Sequence, residues 1–322
     1  MHTSTPGSIL RRRWNNRSNQ LNSGAYCIMR CTIIVPRNLV KVPPRIQPLV
    51  EDGLVDEVIS RLMSGKEADV YVVRSAGEVR CAKVYKDAAT RSFKQAVQYQ
   101  EGRKVRNTRS ARAMERGSKF GKQRQEQTWH TAEVDALGLL ANTEVRVPEI
   151  HGLFDGVLLM ELITDADGYV APRLADISMA SEEAIENHVI IIDFVKKMLC
   201  ISMVHGDLSE FNVLVDANGP VIIDLPQAVD ASANNHAQEM LVRDVRNINN
   251  YCGQFAPQLL HNRSAHEMWA LYEKGELYED TPLTGIHPED THQADVGAVV
   301  SEIKSVLAEE AKRQQRLSES EN

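Results

Sequence analysis

The segment His205-Gly206-Asp207-Leu208-Ser209-Glu210-Phe211-Asn212 constrains this chain more than any other. Apolar residues flank it, and twelve residues after Asn212 the run Val221-Ile222-Ile223 ends in Asp224. Carboxylates set among apolar runs need partners or a task, because an unpaired buried charge is costly. Phosphoryl transfer supplies one. A carboxylate orients or receives the nucleophile's proton, while an Asn oxygen and a second carboxylate hold Mg2+ against the phosphates. The spacing H-x-D-x-x-x-x-N followed by a strand ending in Asp has that layout. A chance loop with His, Asp and Asn would explain the first motif alone; it does not explain Asp224 as well.

The elements around this segment predict an α+β chain. Residues 42–50 (VPPRIQPLV) read as an extended linker. Leu54, Val55, Val58, Ile59 and Leu62 recur at helical spacing and predict a short amphipathic helix. From Ser64 to Tyr85 the pattern alternates, with Ser75-Ala76-Gly77-Glu78 as a hairpin turn. Residues 126–140 predict a helix with Trp129, Val134, Leu137 and Leu140 on one side. Val157 to Met160 is a short buried strand. Residues 182–203 predict one long helix, followed by strand pieces joined at Asn218-Gly219, then helices over 236–252, 264–274 and 295–316. Strands with one helix first, then helices around a hairpin, favour two lobes over a doubly wound sheet. At about 150 residues per domain, 322 residues suit two domains or one bilobal domain.

The longest apolar stretch, Val189 to Val204, is interrupted by Asp193, Lys196 and Lys197, so it reads as a core helix and no membrane partner is expected. Five cysteines without regular spacing suggest incidental thiols in a reduced, cytoplasmic protein; the close pair Cys27 and Cys31 has no second pair to complete a zinc site. The net charge of −7 is unevenly spread. Residues 1–50 carry eight Lys/Arg and no acid. That head reads as a targeting peptide, a basic arm for nucleic acid, or translated upstream sequence with the true start at Met29 or near Val40. Translated upstream sequence, or a plain disordered basic head over 1–49, is the favoured expectation. Residues 86–125 hold twelve Lys/Arg against three acids, a net charge of +9, and predict a mobile loop or a solvated basic helix.

Lys83 lies between apolar residues on the second hairpin strand, so it must snorkel or meet an anion. Nucleotide phosphates would be that anion, and Glu133 on the Trp129 helix is the natural partner for the ammonium, with Glu126 as a weaker one. Glu133 reads equally as an exposed helix glutamate. The turn Ser64-Gly65-Lys66-Glu67 could lie over phosphates through its N–H groups and Lys66, though it has one glycine only. Val70 and Ala82 could wall an adenine pocket or simply pack in the core.

Together SGKEADVY, CAKVYK, LLMELI, VHGDLSEFN and IIDLPQ resemble the RIO family of atypical serine/threonine protein kinases over roughly residues 50–255. The KEADVY turn and Pro226-Gln227 separate this pattern from ordinary kinases. The lack of long low-complexity tails fits a bacterial-type member. The resemblance implies a bilobal protein-kinase-like fold, with a small β-rich N-lobe over 50–163, a reduced, mostly helical C-lobe over 164–262 and a helical extension over 263–322. It implies ATP and Mg2+ as cofactors. Lys83 would contact ATP and pair with Glu133. Met160 would be the gatekeeper, with the backbone of Glu161 to Ile163 as the adenine hinge. Asp207 would be the catalytic acceptor, and Asn212 and Asp224 the metal ligands. Asp224 would also be the nucleophile if the output is an ATPase with a phospho-aspartate. Thr108, Ser110 and Ser118 would be autophosphorylation candidates in a flexible loop. Gly206 replaces the Arg of an H-R-D loop and no A-P-E segment follows Asp224, so activation-loop phosphorylation is not the expected switch.

Two other functions fit parts of the pattern. H-G-D-x-x-x-x-N with an I-I-D strand also resembles aminoglycoside and choline phosphotransferases, in which Asp230, Glu239 and Asp244 would hold a cationic acceptor. A nucleotide-gated scaffold on the small ribosomal subunit would use the basic stretch 86–125 to track RNA phosphates. Phe93, Tyr99 and Phe120 are few aromatics for stacking on bases.

Overall fold

Ala76 and Gly77 take positive φ of 53° and 78°, the geometry a two-residue hairpin turn needs to follow right-twisted strands. The turn joins β2 (Ala68–Ser75) to β3 (Glu78–Tyr85) in an unbroken antiparallel register from Ala68↔Tyr85 to Ser75↔Glu78. In this computed structural model the described residues are 41–65, 67–86 and 131–286, all within one unit running from Thr32 to Asn322. Lys66, Glu126, Trp129, the cysteines Cys27 and Cys31, the head up to residue 40, the basic stretch beyond Lys86 and the tail from residue 287 lie outside them. So do Thr108, Ser110 and Ser118.

The sheet has the order β1-β2-β3-β5-β4, with β1 at Glu57–Ser64, β4 at Ile150–Phe154 and β5 at Val157–Glu161. Two expectations are corrected at its outer edge. The helix expected from Leu54 to Leu62 is largely strand β1. Val58 and Ile59 are β-branched and suit a pleated surface. Bulges between Val58 and Ser60 and between Arg61 and Met63 break the two-residue alternation, so the apolar positions imitate helical spacing. The expected linker contains helix α1 (Gln47–Glu51), with Pro48 in its first turn, where a missing N–H costs nothing. Ile46 and Leu49 bury against the sheet with Val55, Tyr71, Val73, Ala82, Val84, Val157 and Leu159. That burial, at about 25 cal/mol per Å2 of apolar area, holds so short a helix in place.

Strand alternation sends Cys81, Lys83 and Tyr85 to the opposite face. There helix α2, described over 131–140, packs Leu137 and Leu140 beside Tyr85 and Leu158. The same core continues into the helical half. Helix α3 (Ser181–Cys200) buries Ile191, Phe194, Val195, Met198 and Leu199, as its apolar run predicts. Lys197 at its end reaches Glu144 at 2.6 Å and Asp193 at 3.0 Å, so the charges that interrupt the run are paired. Among the described residues no helix is long and apolar enough to cross a membrane. Strands β6 (Met203–Val204) and β9 (Val229–Asp230) pair, and β7 (Val213–Asp216) and β8 (Gly219–Ile222) form the expected hairpin. Helices α4 (Ala237–Cys252) and α5 (Ser264–Lys274) close the core, α5 through Ala265, Met268 and Trp269. An antiparallel sheet followed by a mostly helical half is the α+β architecture expected.

Candidate active site

Lys83 is a buried ammonium held by three carboxylate oxygens. Its Nζ lies 2.7 and 2.8 Å from the two oxygens of Glu133 and 2.6 Å from Asp224 Oδ1. Glu133 is 1% exposed on α2, so the expected pair is a buried one and not a solvated helix glutamate. Desolvation would lower the pKa of Lys83, but the Asp224 and Glu133 charges outweigh it and hold it well above the ordinary lysine value. The Tyr85 hydroxyl donates to Glu133 Oε2. Burial and the neighbouring carboxylate push the Tyr85 pKa up, which keeps that proton in place. Tyr85→Phe removes this donor from a buried carboxylate. We expect a stability loss of about 1–3 kcal/mol in chemical denaturation; an unchanged midpoint would mean that Lys83 alone satisfies Glu133.

On the face of Lys83, Val70 lies directly across the β2–β3 register and Met160 lies across from Cys81. The residue two before Lys83, Cys81, therefore shares its face, whereas Ala82 belongs to the cluster over α1. The expectation of Ala82 as a pocket wall is corrected to Cys81. Burial pushes the Cys81 thiol up to about 12, so it stays protonated and apolar in behaviour. Past Met160, the Glu161 N–H donates to the Glu149 carbonyl at 2.8 Å, and the Ile163 carbonyl accepts from Ala171 N–H at 3.0 Å. At the turn after β1, the Ser64 hydroxyl donates to Asp69 at 2.6 Å, and Lys86 Nζ reaches the Gly65 carbonyl at 2.7 Å. Lys86, which the sequence reading passed over, ties this turn to the end of β3.

The His205–Asn212 loop is fixed from both sides. His205 is buried; its Nε2 meets the Ile223 carbonyl at 3.1 Å and its Nδ1 accepts from Asp207 N–H at 3.3 Å. Those partners require a neutral ring with the proton on Nε2, in keeping with a pKa lowered by burial. Ile223 N–H donates to the Asn212 carbonyl at 3.0 Å, which brings Asp224 beside the loop. Asn212 Nδ2 donates to the Asp207 carbonyl at 2.8 Å, and its amide oxygen accepts no hydrogen bond from a described residue. The Asp207 carboxyl accepts from Gln227 Nε2 at 3.1 Å. Its pKa is raised, because desolvation and nearby Asp224 outweigh the pull of Arg243. Asp224 has a φ of +65°, a left-handed conformation that costs a non-glycine residue of order 1–2 kcal/mol and marks functional loops. Its pKa is lowered, since the Lys83 ammonium overcomes the desolvation that would raise it.

The model of the RIO domain family matches residues 69–265. This chain belongs to the RIO family. The human serine/threonine-protein kinase RIO1 is 32% identical over 201 residues, covering 62% of this chain and 34% of that protein. The RIO-type serine/threonine-protein kinase Rio1 of Haloferax volcanii is 30% identical over 207 residues, 64% of this chain and 67% of that protein. The chain thus matches about a third of the human relative's length. Among solved structures, the Rio2 kinase-ADP/Mg2+-phosphoaspartate complex of Chaetomium thermophilum aligns over 73% of each chain at 19% identity and a TM-score of 0.46.

Family membership and the sheet-plus-helix architecture agree on a protein-kinase-like RIO fold. The acidic trio that would hold a cationic acceptor is not assembled in this RIO domain. Asp230 accepts from Ser232, Glu239 stands beside His236, and Asp244 is buried under the His205–Asn212 loop. Asp244 accepts from the N–H groups of Gly206 at 2.8 Å and Leu208 at 3.1 Å. The sequence reading missed this role. Its signal was present: Asp244 lies on the same α4 stripe as Leu241, Val245 and Ile248, and a carboxylate on an apolar stripe needs donors. Among the described residues no cluster of three His, Cys, Asp or Glu could hold a metal ion.

Proposed function

We propose that this RIO domain uses ATP and Mg2+ to transfer the γ-phosphoryl group to a protein serine or threonine, or to water. The observation that carries the reading is the Lys83 ammonium joined at once to Glu133 and to Asp224, beside a loop that presents Asp207. The adenine would enter the cleft where the sheet half ends near Ile163. It would meet Val70, Cys81 and Met160, and bond to the Glu161 carbonyl and the Ile163 N–H, the hinge groups not already engaged by Glu149 and Ala171. Lys83 would then exchange Asp224 for the α- and β-phosphates while keeping Glu133.

Asn212 and Asp224 fit a hard cation, with one amide oxygen that accepts no hydrogen bond from a described residue and one half-exposed carboxylate. Held there, Mg2+ would neutralise the charge on the β- and γ-phosphates. Asp207 orients the attacking hydroxyl and takes its proton, and its raised pKa strengthens it as a base. In the hydrolytic branch the Asp224 carboxylate attacks the γ-phosphorus, ADP leaves, and water cleaves the resulting acyl phosphate.

Incubation with γ-labelled ATP, following both released phosphate and labelled protein, tests the reading. We expect turnover that a chelator abolishes and Mg2+ restores. Label that hydroxylamine strips and that Asp224→Asn lacks supports the acyl-phosphate branch; hydroxylamine-stable label supports transfer to Ser or Thr. Neither label nor phosphate release would overturn the assignment.

A further inference from the structure

We propose that helix α4 carries a docking site for an anionic side chain, a carboxylate or a phosphate, on the polypeptide substrate. The site stands beside the acceptor position at Asp207, and the inference rests on the kinase reading above. An open cleft of about 360 Å3 runs along α4, lined by His236, Glu239, Met240, Val242, Arg243 and Arg246. Positions 236, 239, 243 and 246 recur every three or four residues, so they form one stripe of the helix. Arg243 anchors the inner end. Its guanidinium donates to the Gly206 carbonyl, one residue before Asp207, and lies 3.8 Å from Asp244. Gly206 and Asp207 are consecutive in the loop, so cleft and acceptor site adjoin.

Arg246, one turn further along, is exposed and has no hydrogen bond or ion pair to another described residue. Among the described residues Glu239 is the single acid of the lining, and its carboxylate stands 3.4 Å from His236 Nδ1. The rest of the charge is positive. An arginine fork matches a carboxylate or phosphate through two parallel hydrogen bonds. Arg246 sits about 4.5 Å beyond Arg243 along the helix axis. An extended peptide advances about 3.3 Å per residue, so the anion falls one to three residues from the acceptor. Met240 and Val242 give the cleft apolar walls, and among the described residues no Phe, Tyr or Trp lines it for stacking on bases, which favours a peptide over RNA.

The test is fluorescence anisotropy with the full chain. Labelled peptides carry an acceptor serine with glutamate or phosphoserine one to three residues away, and their alanine analogues serve as reference. The wild type is expected to bind an anionic peptide about tenfold more tightly than its analogue. Arg246→Glu should abolish that preference, Arg246→Lys should keep part of it, and ATP turnover without peptide should be unchanged in both. Equal binding of both peptides by the wild type would overturn the proposal, as would a preference that survives Arg246→Glu. So would Arg246-dependent binding of single-stranded RNA without any peptide preference. Binding is read without turnover, so an Arg246-dependent preference in a chain that never transfers phosphate would reject the kinase reading and keep the site.

Discussion

Asp207→Asn is expected to slow phosphoryl transfer by about 10²–10⁴-fold while nucleotide affinity stays near wild type. Asn has the shape of Asp and its carbonyl can still accept from Gln227, so the loop keeps its geometry. It cannot take a proton from the attacking hydroxyl. The pH dependence follows from the same group. The Asp207 pKa is raised, and only the ionised form is a base. Activity in the wild type therefore rises with pH through a value above the ordinary 3.8, and this limb is absent from whatever rate Asp207→Asn retains. Single-turnover rates with γ-labelled ATP across pH, together with nucleotide titrations, check both statements. A variant with near-normal rate would remove Asp207 from the role.

Asp244→Ala combines a stability loss with a loss of rate. It leaves the N–H groups of Gly206 and Leu208 buried without an acceptor, a cost of about 2–6 kcal/mol for the pair. Asp207 lies between those two residues, so its carboxylate loses its fixed position and kcat is expected to fall. Asp244→Asn keeps one acceptor oxygen and should recover part of both. Desolvation raises the Asp244 pKa to about 7, against the ordinary 3.8. Between those values the folded chain holds a proton that the unfolded chain has released. The contribution of this shift is complete below the lower value and is lost as pH rises through about 7. The difference in thermal midpoint between wild type and Asp244→Asn should therefore shrink as pH rises over that interval. A constant difference would place the titration elsewhere.

Much of the site was legible because its residues are close in sequence or obey a strand rule. His205, Asp207 and Asn212 share one loop, and Asp224 ends the next apolar run, so a single local pattern names the candidate base and metal ligands. The hairpin was legible from Ala76-Gly77, where two positive φ angles leave few alternatives. Misreadings came where a local pattern had two meanings. Two bulges made strand β1 look helical, and a run of prolines hid α1, whose stability comes from Ile46 and Leu49 against a sheet formed by residues far along the chain.

The order of residues already specifies the hairpin of β2 and β3, helices α2 to α5, the phosphoryl-transfer pattern and the family. These depend on backbone preferences and on spacings along the chain. Packing in three dimensions settles that Glu133 is buried on Lys83, that Tyr85 completes the pair, that Cys81 and not Ala82 shares the face of Lys83, and that Asp244 holds the His205–Asn212 loop from beneath. Those facts depend on which face of an element meets which neighbour. Glu133 is 50 residues from Lys83 and Asp224 is 141, and no local periodicity records that meeting. A carboxylate becomes a partner or a liability only once packing has removed its water.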